Sequence, residues 1–374
     1  MWETDTPEEK SSSLYGKANR EVRMREVVQD EYGAPGMKHH RVVVSRHGGP
    51  DVLQAVEEDR PEPQPGEIRV KVQAAGVSAY DLMFRRSGKL PGTPRVPFTL
   101  GADIAGVVDE LGEGVSAFEP GQPVVGATFS LGNCGGYAEF VCLPANELVP
   151  APLGLDPAEA VCLVVNYLTA YALLHQTAKV RRGERILVHG AAGGVGTALL
   201  QLSKLAELEM YGTASKHNHE LVSALGAIPI DYHTEDFVKR IRNLTGDGVD
   251  AVFDPIGGAR QVWRSYRALC KGGRLAWFGV AATKKSGLRV IPFTMLAIFL
   301  LKLIPDGKQT PLTPDLGKDN AWYRETLTKL LELLASGSIK PVVAERIPLV
   351  EASRAHELLE RGGHAGKVVL VVNA

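Results

Sequence analysis

The sequence predicts a two-domain α/β chain, a β-rich barrel-like unit joined to a doubly wound parallel sheet, and three observations carry that prediction. The chain has 374 residues, more than a single hydrophobic core usually organises. Between Arg41 and about Pro152, short β-rich runs (Glu67–Ala74, Ile104–Glu110, Pro123–Ala127, Tyr137–Leu143) alternate with Gly and Pro turns, as in an antiparallel barrel. From about Asp156 to Ala281 helix and strand signals alternate, as in a parallel sheet covered on both faces. The switch of pattern marks a domain boundary.

The tail of the chain reads as helix Tyr323–Ala335, strand Val342–Arg346, helix Val350–Arg361 and strand Lys367–Val372. These strands are too few for a third domain and are expected to complete the first. The expected division is 1–36 as a partly disordered extension, 37–155 with 315–374 as the β-rich catalytic domain, and 156–314 as a nucleotide domain with an apolar flap near 290–304. Within the extension, Arg25–Pro35 recurs weakly as His40–Pro50, each copy a strand running into a turn. The two copies could pair as a hairpin, or the first could be the remnant of a duplicated or fused gene start, and the second reading is favoured.

Composition removes several classes of function. The 42 basic and 43 acidic residues nearly cancel, so no global field gathers nucleic acid or an anionic membrane. The four cysteines (Cys134, Cys142, Cys162, Cys270) form no Cys-x-x-Cys pair, which predicts reduced thiols, a cytoplasmic location and no structural zinc. The apolar run Val290–Ile304 holds Pro292 and Lys302 and is too short to span a bilayer. It could cap a lipophilic substrate, pack in a dimer interface, touch a membrane surface or serve as a core helix.

The most informative motif is Arg185–Gly190, a buried strand, followed by Ala191-Ala192-Gly193-Gly194-Val195-Gly196 and a helix-forming segment, Thr197–Ala206. A strand feeding a tight glycine turn into a helix start aims unpaired N–H groups and the positive dipole end at one place, where a pyrophosphate fits. Gly193 lets the backbone approach the phosphates and Gly196 lets helix pack on strand, while Ala191 stands where the usual fingerprint has its first glycine. The next strand, Glu209–Thr213, leads to Ser215 and Lys216, where enzymes of NADH place a carboxylate about 20 residues beyond the loop. A hydroxyl and an ammonium suit the 2′-phosphate of NADPH. The alternative is a solvated loop lysine.

The ordered strings Gly76–Met83, Gly101–Gly106, Gly112–Ser116, Pro120-Gly121, Ala191–Gly196 and Asp254–Gly258 resemble the medium-chain dehydrogenase/reductases from Arg41 to the C-terminus. Within them the chain is similar to the quinone oxidoreductase group and most to the vesicle amine transport protein homologues, through Val164–Tyr171, Gly212–Ser215 and Pro229–Thr234. The resemblance implies a GroES-like catalytic domain, a Rossmann domain, a cleft between them and a homodimer, with Arg274–Val280 as the edge strand for strand-to-strand pairing. It also implies Asn166 and Thr169 beside the nicotinamide, Tyr232 beside the adenosine phosphate and Phe278 near the carboxamide. Each could instead be a packing residue.

Zinc alcohol dehydrogenases carry a Cys where Ser78 stands and Gly-His-Glu where this chain has Gly101-Ala102-Asp103. Serine and alanine cannot replace a thiolate and an imidazole, so no catalytic metal is expected. Conjugate reduction of an electron-poor, lipophilic substrate, a quinone or an α,β-unsaturated carbonyl, becomes the expected chemistry. Tyr80, at the position of a proton-relay hydroxyl in the zinc relatives, is the first candidate to donate to the developing oxyanion; Ser78 is second and solvent third. Tyr80 could equally line the pocket, and Asp81 is expected to fix the local turn. The rival class is an NADPH-binding vesicle or membrane adaptor with negligible turnover.

Overall fold

The computed structural model describes residues 37–88, 92–132, 134–279, 281, 289–311 and 316–372. The first repeat copy, at Arg25–Pro35, lies outside them; the second forms β1 (Lys38–Val44), which pairs with β2 (Leu53–Asp59) and with β4 (Phe98–Thr99).

The larger β-rich sheet has seven strands. It is built from β3 (Glu67–Val77), β5 (Asp103–Leu111), β6 (Pro123–Ala127), β7 (Phe140–Pro144) and β8 (Leu148–Pro150), completed by β14 (Val343–Pro348) and β15 (Lys367–Val371) from the end of the chain. β15 pairs antiparallel with β3, placing Val368 opposite Val77. The five-stranded sheet is parallel, in the order β11 (Ile228–Asp231), β10 (Glu209–Ala214), β9 (Arg185–His189), β12 (Val249–Asp254), β13 (Leu269–Trp277).

Side-chain alternation sends the two faces of this parallel sheet into separate cores. Ile186, Val188, Ala251, Phe253 and Ala276 join one cluster, while Leu187, Val252 and Leu275 join another. The first cluster also takes Ala74, Ala105, Val125 and Val369 from the β-rich sheet, so one core spans both units. Its centre is α2 (Pro157–Thr177), entered through Pro157 and capped by Asp156, which accepts from Ala158 N at 2.9 Å. Although α2 is long and apolar enough to cross a membrane, it is mostly buried inside the protein. Against it packs α8 (Asn320–Ala335). The buried Tyr323 hydroxyl of α8 donates to Glu147 O and accepts from Ala127 N, both at 2.9 Å.

The strand expected at Arg274–Val280 lies in β13, which ends at Trp277 and meets one later residue at its outer side: Leu275 N donates to Gln309 O at 2.8 Å and Gln309 N to Gly273 O at 2.9 Å. The apolar run near 290–304 forms a helix, α7 (Val290–Lys302). Its Thr294, Ile298 and Leu301 are buried, whereas Phe293, Met295, Leu296, Phe299, Leu300 and Leu303 are exposed.

Candidate functional site

The nucleotide pole is built from backbone constraints. After β9 the chain turns at Gly190, whose φ of 62° lies in the left-handed region. It then runs through buried Ala191 and Ala192 into α3 (Gly194–Leu205), with Gly193 as the N-cap. The helix begins three residues before the expected Thr197, because the glycine turn flows directly into it. A Cβ on Gly196 would lie 2.2 Å from Gly190 O, so the helix can pack this closely on the turn only with glycine there. A Cβ on Gly193 would approach only Gly190 O, at 3.3 Å, leaving its outer side open. Val195, partly buried, completes the turn.

Asn166 and Thr169 share one face of α2. Asn166 is brought to the loop: a Cβ on Gly194 would lie 2.3 Å from its Nδ2. Asn166 sits in a π-helical stretch, Leu163–Tyr167, a distortion frequent at functional sites. At the far end of the loop, Ser215 Oγ and Tyr232 OH hydrogen-bond at 2.9 Å, joining the ends of β10 and β11. Lys216 follows Ser215 at the start of a short 3-10 turn and is exposed. Phe278 continues from β13, its N–H donating to Asp254 O at 3.1 Å, and its partly buried ring packs on the core that includes Ala191.

Beneath this pole lies a polar chain that the sequence did not signal. Asp254 Oδ1 accepts from Ile256 N (2.7 Å) and Gly257 N (3.1 Å), fixing the Asp254–Gly258 turn. Its Oδ2 accepts from Ser265 Oγ at 2.8 Å. Ser265 Oγ lies 3.1 Å from His189 Nε2, and His189 Nδ1 lies 3.0 Å from Thr213 Oγ1. Because the Ser265 proton is given to Asp254, His189 donates from Nε2 and accepts at Nδ1. Burial lowers the His189 pKa, which favours this neutral form.

The expected substrate pole, around Ser78 and Tyr80, is organised by α1 (Ala79–Arg86). Ser78 is its N-cap, with a reciprocal capping box to Asp81. Ser78 N and Oγ donate to Asp81 Oδ2 at 2.7 and 2.6 Å, and Gly101 N donates to Oδ1 at 3.1 Å. Asp81 thus fixes the turn as expected, yet it is fully buried, and burial raises its pKa to about 6. Tyr80 is 58% exposed, its ring edge-on to Phe84 at 6.4 Å. Ala102 is buried, and Asp103 is committed elsewhere: its Oδ2 lies 2.6 Å from Lys367 Nζ, both side chains almost wholly buried. This ion pair crosses over Gly76, where a Cβ would lie 2.3 Å from Lys367 Cε and 2.5 Å from the Asp103 carboxylate.

One segment joins the two poles. Gly366, at the entry to β15, donates its N–H to Ala192 O at 2.8 Å and bridges Gly193. Its neighbour Lys367 holds Asp103, whose charge in turn bears on Asp81. His217 Nε2 lies 2.9 Å from Gly363 O in the same segment. The returning C-terminal strand therefore touches the glycine loop and the Ser78 region at once.

Residues 64–153 match the alcohol dehydrogenase GroES-like domain and residues 225–370 match the family described as zinc-binding dehydrogenase. Rat quinone oxidoreductase is 32% identical over 345 residues, covering 91% of this chain and 100% of that protein. The chain belongs to the quinone oxidoreductase group of the medium-chain dehydrogenase/reductases. The rat synaptic vesicle membrane protein VAT-1 homolog is 34% identical over 342 residues, covering 88% of this chain and 83% of that one. The crystal structure of Escherichia coli quinone oxidoreductase complexed with NADPH superposes with a TM-score of 0.77 at 31% identity, covering 89% and 99% of the two chains. The fold class, GroES-like plus Rossmann, is the one the sequence predicts. Family membership makes this an oxidoreductase scaffold.

Proposed function

We propose that the chain reduces a quinone or an α,β-unsaturated carbonyl with NADPH, without a metal ion. The observation that carries this reading is the donor set at the substrate pole. Ser78 caps α1 and Ala102 offers no ligand atom, while the Asp103 carboxylate is neutralised by Lys367. This set does not fit zinc. The glycine loop, by contrast, fits a pyrophosphate, because the Gly196 position has no room for a Cβ and the outer side of Gly193 is open. NADPH, when bound, supplies the hydride.

The residues of the chain bind and orient. Gly193, Gly194, Val195 and Gly196 would hold the pyrophosphate, and Ser215, Lys216 and Tyr232 the 2′-phosphate. Asn166, Thr169 and Phe278 would flank the nicotinamide. Lys216 supplies charge and the Ser215–Tyr232 pair supplies hydroxyls that can turn toward a phosphate. Tyr80 and Ser78 are the side chains available to hydrogen-bond a developing oxyanion. The exposed apolar surface of α7 suits a lipophilic substrate or partner.

Deuterium labelling tests the reading. With NADPH deuterated at C4 and an enone as oxidant, the label is expected on the β-carbon of the product. NADPH that binds tightly, yet leaves enones and quinones unreduced, would favour the adaptor reading.

A further inference from the structure

Behind Ser78 runs a buried polar chain assembled from distant parts of the sequence. Asp81, on α1, accepts from Ser78 and Gly101 and interacts with the Tyr137 hydroxyl. Tyr137 OH lies 3.2 Å from His356 Nε2, on α9 (Ala352–Arg361), and His356 Nδ1 lies 3.2 Å from an Arg85 guanidinium nitrogen. Arg85 also donates to Gly48 O at 3.2 Å and pairs with Glu360. Arg85, Tyr137 and His356 are all fully buried.

The direction of every bond follows from one fact. Arginine has donors only. His356 Nδ1 must therefore accept, so neutral His356 carries its proton on Nε2 and donates it to Tyr137. Tyr137 then has its own proton left for Asp81. All donors converge on the Asp81 carboxylate, and Ser78 is the member of the chain at the substrate pole.

We propose that Asp81 stores the proton that Ser78 passes to the reduced substrate, with Tyr137, His356 and Arg85 as positioning residues that hold Asp81 for this task. The proposal rests on the reductase reading given above. Hydride transfer adds two electrons and one hydrogen to the quinone or enone and leaves one negative charge on the substrate. That charge is balanced when the Ser78 O–H bond breaks toward the substrate anion while the proton on Asp81 moves to Ser78 Oγ. Asp81 is left as a carboxylate. Once product leaves, a proton from water returns through Ser78.

The other end of the chain cannot supply that proton. Burial, Arg85 and Arg86 push the His356 pKa down to about 3. Several groups face Asp81 and set its proton affinity. Burial raises its pKa to about 6 against the opposing Ser78 and Gly101 hydrogen bonds, with Asp103 of β5 adding to the rise. Lys367 of β15 offsets Asp103, while Cys134, Tyr137 and Arg85 complete the surroundings. A carboxyl that titrates close to working pH can both give and regain a proton.

The test uses the full chain with NADPH and one oxidant that the wild type reduces. Wild-type kcat is expected to fall about tenfold per pH unit above pH 6, with a solvent deuterium isotope effect. Ser78→Ala and Asp81→Asn should each lose at least about tenfold in kcat and flatten the pH profile, with NADPH affinity retained. A readout independent of turnover is the infrared carboxylic-acid band, which should titrate near pH 6 in the wild type and vanish in Asp81→Asn. Folded Asp81→Asn or Ser78→Ala protein with the wild-type pH profile overturns the proposal. If Asp81→Asn does not fold, the Ser78→Ala profile and the wild-type band decide. Failure of the reductase reading looks different, because the wild type itself then oxidises no NADPH.

Discussion

The nucleotide pole is made of neighbours in sequence, whereas the substrate pole is made of strangers. Gly190 to Gly196, Ser215, Lys216 and Tyr232 come from successive strand ends of one sheet. Arg85 and His356, by contrast, are 271 residues apart, Tyr137 and His356 are 219 apart, and Asp103 and Lys367 are 264 apart. The first pole is specified by what the backbone must do, and glycines report that locally. The second is specified by which buried donors and acceptors must meet, and only the fold reveals it.

Breaking the substrate pole should cost most in stability. Lys367→Met leaves Asp103 buried and unpaired, with an expected loss of about 3–5 kcal/mol in chemical denaturation; a loss below about 1 kcal/mol would show that the pair is dispensable. Next comes the hydrogen-bonded chain. Tyr137→Phe strands the His356 Nε2 proton, at an expected cost of about 1–3 kcal/mol.

The linkage to pH sharpens the comparison further. Asp81 has its folded pKa raised to about 6 from a usual 3.8, so its contribution to stability is fully present below the lower value. That contribution is lost as pH rises through the higher one. The stability of wild type relative to Asp81→Asn should therefore fall by about 3 kcal/mol in all, from well below pH 3.8 to well above pH 6. Denaturation curves at several pH values would show it, and a difference independent of pH would contradict the assignment.

At the nucleotide pole smaller effects are expected, and they fall on binding. Gly196→Ala forces the turn and helix apart at a cost of about 1–3 kcal/mol, read as weaker NADPH binding by fluorescence titration. Lys216→Ala should weaken NADPH about tenfold and leave NADH unchanged, the exposure of the lysine keeping the effect modest. Equal loss for both cofactors would remove the 2′-phosphate role.

Much of the fold was legible because its signals are periodic and punctuated. The run Pro123–Ala127 matches β6 at both ends, and the returning tail supplies β14 and β15 as its alternation suggested. Asp81 was legible as the fixer of its turn, since a capping box is local. The contact of Gln309 with β13 was not legible, because it has no strand-forming run around it. Nor were Tyr137, His356 and Lys367, single polar residues that sequence alone cannot distinguish from surface positions.

Metal-independent hydride transfer from NADPH is open to steady-state kinetics on chelator-treated protein. NADPH and NADH would be compared in parallel against a panel of quinones and enones. Saturable oxidation, faster with NADPH and unchanged by added zinc, is the predicted result. Activity that disappears on chelation and returns with zinc would contradict the account.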